Sequence, residues 1–233
     1  MLDSYQMEFN GETSSEHGIY IARRPDMPAG RENVDYVTVA GRPDPLAVRS
    51  GEYEDVKITV ECGFKTEKRQ WNEKAWEVRR WLKGAGTLTF SDCEDVFRKV
   101  KDVTIKEFER VIRRYGTFEA VFTCDPFEYL KAGTREMEPE EAAQNPFDAS
   151  RPLYLITGNG TCTLNVNGKS MRATIGQNLT IDTDRMLAYR TDGAIMNTAV
   201  TGEYEDLYLK PGRNEISITS GYGLKMIPNW RRL

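Results

Sequence analysis

The last third of the chain limits the fold more than any other stretch. Pro152 to Thr157, Thr161 to Val166, Ser170 to Ile175, Leu179 to Thr183, Met186 to Thr191, Leu207 to Leu209, Glu215 to Thr219 and Leu224 to Ile227 are short apolar-alternating runs separated by turn residues. Close to eight short strands in about 80 residues is the mark of an antiparallel sandwich or jelly roll. Asn167-Gly168 has the composition of a two-residue type I′ hairpin turn. Gly158-Asn159-Gly160 reads as a second hairpin turn, since a strand follows it where a phosphate-binding loop requires a helix N-terminus.

The rest of the 233 residues also reads mainly as strands, with one exception. From Thr66 to Gly84 a helix is predicted, because Trp71, Ala75, Val78 and Leu82 fall within about 40° of one another on a 3.6-residue period. Thr66 is the expected N-cap, with Glu67 in the positive first turn and Arg79, Arg80 and Lys83 in the negative last one. Gly84 is the expected left-handed stop. Trp76 points away from the apolar stripe and Trp81 lies about 80° from its centre, so both extend the apolar surface beyond the needs of one core.

Upstream, Tyr5 to Phe9 and Ile19 to Ile21 suggest a short strand pair. The proline-bearing Ala22 to Tyr36 reads as an extended loop or arm. Val37 and Val39 begin a strand that stops at Gly41. Tyr53 to Cys62 forms a long strand into the helix, and Leu88 to Phe90 and Val96 to Val100 form two more. Over residues 104–116 local pattern slightly favours a helical stripe, with Thr104 and Glu107 as a capping box, while Gly116 reads as the tight turn of a hairpin. The β-branched residues and the return strand Phe118 to Phe122 favour the strand. Residues 134–149, with five acids against one base and two prolines, read as a linker between a domain at 1–133 and a second at 150–233.

Chemistry is sparse. The single histidine, His17, sits in a turn and would have to serve any Ser-His-Asp or Cys-His arrangement. The four cysteines lie far apart with no C-x-x-C spacing and read as buried free thiols, leaving no zinc knuckle or redox motif. Asp182 and Asp184 could meet a calcium ion only with a third ligand. Neither enzyme, metal nor cofactor is therefore expected. A net charge of −4 and a pI near 5.3 lack the basic footprint of a nucleic-acid binder. No apolar run reaches the roughly 18 residues of a membrane helix, and the opening residues have no signal-peptide pattern, so the chain reads as soluble and made in the cytosol. Tyr189, Tyr204, Tyr208, Tyr222 and Trp230 could line a sugar platform, with core and edge packing the alternative.

The features occur in a recognisable order: Phe9-Asn10-Gly11, Val39-Ala40-Gly41-Arg42 with Gly51-Glu52-Tyr53, Trp81-Leu82 with Gly84-Ala85-Gly86, and Phe122 to Phe127. Asn145-Pro146, Pro152 to Ile156, Leu179 to Asp182, Pro211 to Ser217 and Pro228-Asn229-Trp230 follow. In this order the chain resembles the distal tail protein (Dit) family of long-tailed, siphovirus-type bacteriophages and prophages. The resemblance implies a mainly β chain, with an N-terminal β-sandwich or barrel-like, ring-forming, tail-tube-like domain carrying one α-helix, and a C-terminal galectin-like antiparallel β-sandwich. It implies a homohexameric ring at the distal end of the tail tube, holding tail-tip or baseplate hub and receptor-binding proteins around a channel for DNA. The virion tail tip, assembled in the bacterial cytoplasm, would be its place. Trp76, Trp81, Arg23, Arg24 and Tyr36 are then the candidate subunit contacts. A carbohydrate-binding host-adhesion module built on the second domain is the alternative.

Overall fold

The computed structural model describes residues 5–67, 70–112 and 114–233. It is mainly β, as the sequence predicts, and divides into two compact units, Met1–Glu128 with Leu233, and Tyr129–Arg232.

In the first unit, β1 (Met7–Phe9) and β2 (Glu12–Thr13) are joined by Asn10 and Gly11, both with positive φ, as a two-residue hairpin needs. Strands β3 (Ile19–Ile21), β4 (Arg31–Val37), β5 (Leu46–Glu54) and β6 (Val56–Lys65) precede helix α1 (Trp71–Trp81). After it come β7 (Gly86–Phe90), β8 (Val96–Ile105), β9 (Glu109–Ile112) and β10 (Tyr115–Leu130). One sheet runs in the order β2-β1-β7-β8-β10-β6-β3, with β9 also on β10. The predicted pairing of Tyr5–Phe9 with Ile19–Ile21 is therefore overturned. Strand β1 lies near one edge, and β3 forms the other through register with Cys62 to Phe64.

Strict alternation sets the core. Val56, Ile58, Val60 and Cys62 of β6 are buried while Lys57, Thr59 and Glu61 between them are exposed, and Phe118, Ala120, Phe122 and Cys124 of β10 are buried on the same pattern. Helix α1 joins that core through Val78 and Trp81, followed by Leu82. The expected stripe is buried at Ala75, Val78 and Leu82 and partly buried at Trp71. The helix starts later than predicted, with Gln70 rather than Thr66 at its N-cap and no side-chain cap. The Thr66 amide instead donates to the Arg114 carbonyl at 2.8 Å, which continues the β6–β10 pairing and holds Thr66 out of the helix. Gly84, at φ 80°, is left-handed as predicted.

Within residues 104–116 the end of β8, β9 and the start of β10 are strand, with 106–108 between strands, 114 in a turn and residue 113 outside the described residues. Gly116 is within β10 rather than at a turn. The segment expected as a loop contains β4, which among the described residues pairs only with β5. The single strand expected from Tyr53 to Cys62 is broken at Asp55 into β5 and β6.

The second unit contains a four-residue helix α2 (Pro139–Ala142) and strands β11 (Gln144–Asn145), β12 (Leu153–Val166), β13 (Lys169–Asp182), β14 (Leu187–Tyr189), β15 (Val200–Thr201), β16 (Gly212–Arg213), β17 (Ile216–Ile218) and β18 (Gly223–Ile227). Strands β12 and β13 form one hairpin closed by Asn167 and Gly168, φ 52° and 79°. Its two ends take different neighbours: β18 and β14 at one, β17 and β15 at the other. Between them Gly158, Gly160 and Gln177 have φ of 150°, 107° and 90°, so the hairpin bends without breaking. Gly158-Asn159-Gly160 is this bend, not the predicted turn. The bent hairpin folds its inner face onto itself, and Tyr154, Ile156, Cys162 and Leu164 stand in register with Ile181, Leu179, Ala173 and Met171, all buried. That is the predicted sandwich logic, made from fewer and longer strands.

Residues 134–149, expected as a linker, belong to this unit. Met137 is buried and exchanges backbone hydrogen bonds with Met226, and β11 pairs with β16. A low apolar content does not prevent ordering, because the segment supplies its backbone to existing strand edges.

Candidate assembly surfaces

The described residues offer more contact surface than chemistry. In α1, Trp76 is 61% exposed, with the Arg80 guanidinium 5.2 Å from its ring centre. An indole in that position gains little from its own subunit. Trp81, predicted beside it as a contact residue, is only 8% exposed and stacks on His17 with ring centres 4.3 Å apart. The sequence could not place His17, some sixty residues upstream, over that ring.

The β4–β5 ribbon is the second such surface. Tyr36 is 70% exposed, and Val37, Val39, Leu46 and Val48 are exposed as well. Asp35↔Val48 and Val37↔Leu46 are register pairs, so Val37, Leu46 and Val48 share one face, apolar apart from Asp35. An isolated two-stranded ribbon is marginal in water, and this one carries its aliphatic side chains outward. The sequence signal is present in those valines, but the prolines around them point to a loop. Arg23 and Arg24 precede the ribbon. Arg23 pairs with Asp26 at 3.2 Å, and Arg24 lies 3.9 Å from Asp92 and over the Tyr5 ring. Both side chains remain mostly exposed. Burial, followed by the Asp92 charge, pushes the Tyr5 hydroxyl above its ordinary range.

The groups with catalytic potential are committed elsewhere. His17 lies between the Glu12 carboxylate at 2.8 Å and the Glu77 carboxylate at 3.3 Å. Cys62, Cys124 and Cys162 are buried as predicted, and burial pushes the first two thiols up to about 12, which leaves them un-ionised at neutral pH. Cys93 is exposed, contrary to the expectation of four buried thiols. Among the described residues no cluster of three or more His, Cys, Asp or Glu side chains could hold a metal. Asp182 accepts the amides of Asp184 and Arg185 at 3.0 Å each, and Asp184 accepts from Arg151 at 3.2 Å. These are turn and ion-pair roles.

The aromatics of the proposed sugar platform do not converge on an open face. The hydroxyls of Tyr204 and Tyr208 and the indole N–H of Trp230 are buried, and Tyr222 lies over Gly158 and donates to the Asn159 carbonyl at 3.0 Å. Tyr189 is half-buried on the edge strand β14.

No family model matches the chain, and no curated protein matches it. Among solved structures, the Dit protein (gp 19.1) of SPP1 superposes on 98% of this chain and 99% of its own, with a TM-score of 0.68 at 11% sequence identity. The two chains share one fold. The Dit fold therefore accounts for both units from end to end, although sequence identity is that of unrelated chains. That SPP1 protein is presented as a paradigm of the hub adsorption apparatus in Gram-positive infecting phages.

Proposed function

We propose that this chain is a structural protein of a phage tail, with no catalytic role, and that six copies form a ring at the distal end of the tail tube. The ring would act as a hub between the tube and the tail-tip or baseplate and receptor-binding proteins, around a channel for DNA. The observation that carries this reading is the fold likeness to the SPP1 hub protein over both units.

The exposed surfaces support it. In a cyclic ring each subunit presents two different patches, one to each neighbour, so exposed apolar side chains are required where no active site is. Trp76 and the β4–β5 ribbon meet that requirement on the first unit, with Arg23, Arg24 and Tyr36 at or beside the ribbon. Trp81, 8% exposed and stacked on His17, offers less surface of its own to such a contact than Trp76 does. The modest net charge of −4 suits a channel through which phosphates slide, since a basic lumen would retain them. The second unit would be the peripheral one.

Multi-angle light scattering and negative-stain micrographs of the full chain, alone and with tube and tip proteins, test this. Hexameric rings are expected. A monomer that stays alone beside those partners would remove the ring reading. Trp76→Ala should weaken assembly about tenfold or more while leaving the melting temperature of the isolated subunit within about 2 °C, because the side chain is mostly exposed. Equal losses of both would place Trp76 in the subunit's own packing.

A further inference from the structure

Helix α1 carries an exposed face whose charge is matched elsewhere on the same unit. Around Trp76, at helical spacing, stand Arg79 and Arg80, with Lys83 just beyond the helix end. Arg79 lies over the Phe108 ring and Arg80 over Trp76, and neither they nor Lys83 meet a carboxylate among the described residues. The face is aromatic and basic toward its C-terminal end, with Glu73 one turn before Trp76 at the other.

On the first unit a groove of about 470 Å³ is lined by Glu61, Lys106, Glu107, Glu109, Thr117 and Glu119. Glu61 and Glu119 are directly opposed in the β6–β10 register, an arrangement of like charges that destabilises a strand pair. Lys106 neutralises Glu119 with an ion pair at 2.5 Å. Glu61, Glu107 and Glu109 have no cation among the described residues, so the groove keeps unbalanced negative charge.

Alternation along β6 and β10 decides the relative placement. Phe64 and Phe118 point to the face that α1 covers, and Phe64 meets Trp71 with ring centres 5.9 Å apart. Glu61 and Glu119, at odd positions, point to the other face. Glu61 and Glu119 therefore leave the sheet on the face opposite α1, while Arg79 reaches Phe108, which lies between Glu107 and Glu109, and among the described residues no ion pair joins the basic face to the groove.

Resting on the ring reading above, we infer that the Trp76–Arg80 face of α1 docks into the Glu61–Glu107–Glu109 groove of a second copy of this chain. Head-to-tail contacts require two unlike, complementary patches on each subunit, and opposite charge with an aromatic anchor supplies them. A second copy is favoured over another basic protein because a complementary surface is already present in the same chain, unpaired with the groove within the subunit among the described residues.

The experiment is a charge-swap series on the full chain, read by sedimentation velocity at low and high salt. Arg80→Glu and Glu109→Arg should each weaken self-association about tenfold, and the double variant should regain most of the loss. Wild-type association should weaken with added salt. Glu107→Lys serves as an independent groove variant, and unchanged thermal unfolding of each variant, expected for exposed positions, excludes misfolding. Rings that form normally in every single variant, or a double variant no better than the singles, would overturn this docking and leave the ring reading standing. A wild-type chain that remains monomeric with all tail partners would remove both.

Discussion

Two side chains show how single residues hold this fold. The Asn214 amide is buried and donates to the Lys210, Gly212 and Ala143 carbonyls at 2.9, 3.0 and 3.4 Å, while its oxygen accepts from the Lys210 amide and the Asn167 side chain at 2.8 Å each. Asn214→Ala would leave several of these groups unpaired, at about 1–3 kcal/mol for each that water cannot reach. A total loss of about 3 kcal/mol is expected in urea unfolding, and a loss below about 1 kcal/mol would show that water replaces the amide. Glu77 gives a pH-dependent case. Burial acts to raise its pKa, but the Lys74 ammonium at 3.0 Å and His17 hydrogen-bond the carboxylate and hold it below the ordinary range. A carboxyl depressed in the folded state contributes stability above its unfolded value, about 4.3, and that contribution disappears as pH falls through the folded value. Glu77→Gln should therefore be less stable than wild type at pH 6, with the difference closing on acidification below about pH 4. Because the side chain is more than a third exposed, the effect should be small, and melting curves across that range would show a constant offset if Glu77 contributed nothing through its charge.

At the scale of elements, the seat of α1 depends on one glycine. A Cβ at Gly116 would lie 2.5 Å from the Phe64 ring and 3.0 Å from the Trp71 indole nitrogen. Gly116→Val should push both rings outward, cost about 1–3 kcal/mol and reduce the near-ultraviolet circular dichroism of the tryptophans. An unchanged spectrum would mean that the helix has room to shift. Gly116 also shows where local pattern reading reaches its limit. Its composition signals a turn, yet its role is close approach between β10 and α1, fixed by Phe64 some fifty residues upstream. The same holds for Gly158-Asn159-Gly160, whose glycines permit a bend that Tyr222 covers. Thr66 has the composition of a cap, but its amide is held by Arg114, far along the chain and invisible to local pattern. By contrast the β9–β10 hairpin, the Asn167-Gly168 turn and the Ala75–Val78–Leu82 stripe are legible, since each rests on residues adjacent in sequence. For the contact surfaces, Trp76 can be placed from helical period alone, whereas the burial of Trp81 needs His17.

At the scale of the whole chain, each unit has its own buried cluster, around Phe9, Phe64 and Phe122 in one and Tyr154, Leu164 and Met171 in the other. If the first unit builds the ring proposed above, two separate cores would let the second vary without disturbing it. Leu164, fully buried in β12, tests this. Leu164→Ala should cost the second unit about 2–5 kcal/mol, the usual range for a leucine cavity. Hydrogen exchange on the full chain should then show faster opening of amides in β12 and β13 with unchanged protection in β6 and β10, and ring formation should persist. If protection fell equally in both units, the chain would unfold as one cooperative block, and substitutions in the second unit would be transmitted to the ring. The bent β12–β13 hairpin makes the first outcome the expected one, because Leu164 stands opposite Met171 on one side and Ile218 of β17 on the other, so the cavity opens wholly inside the second unit.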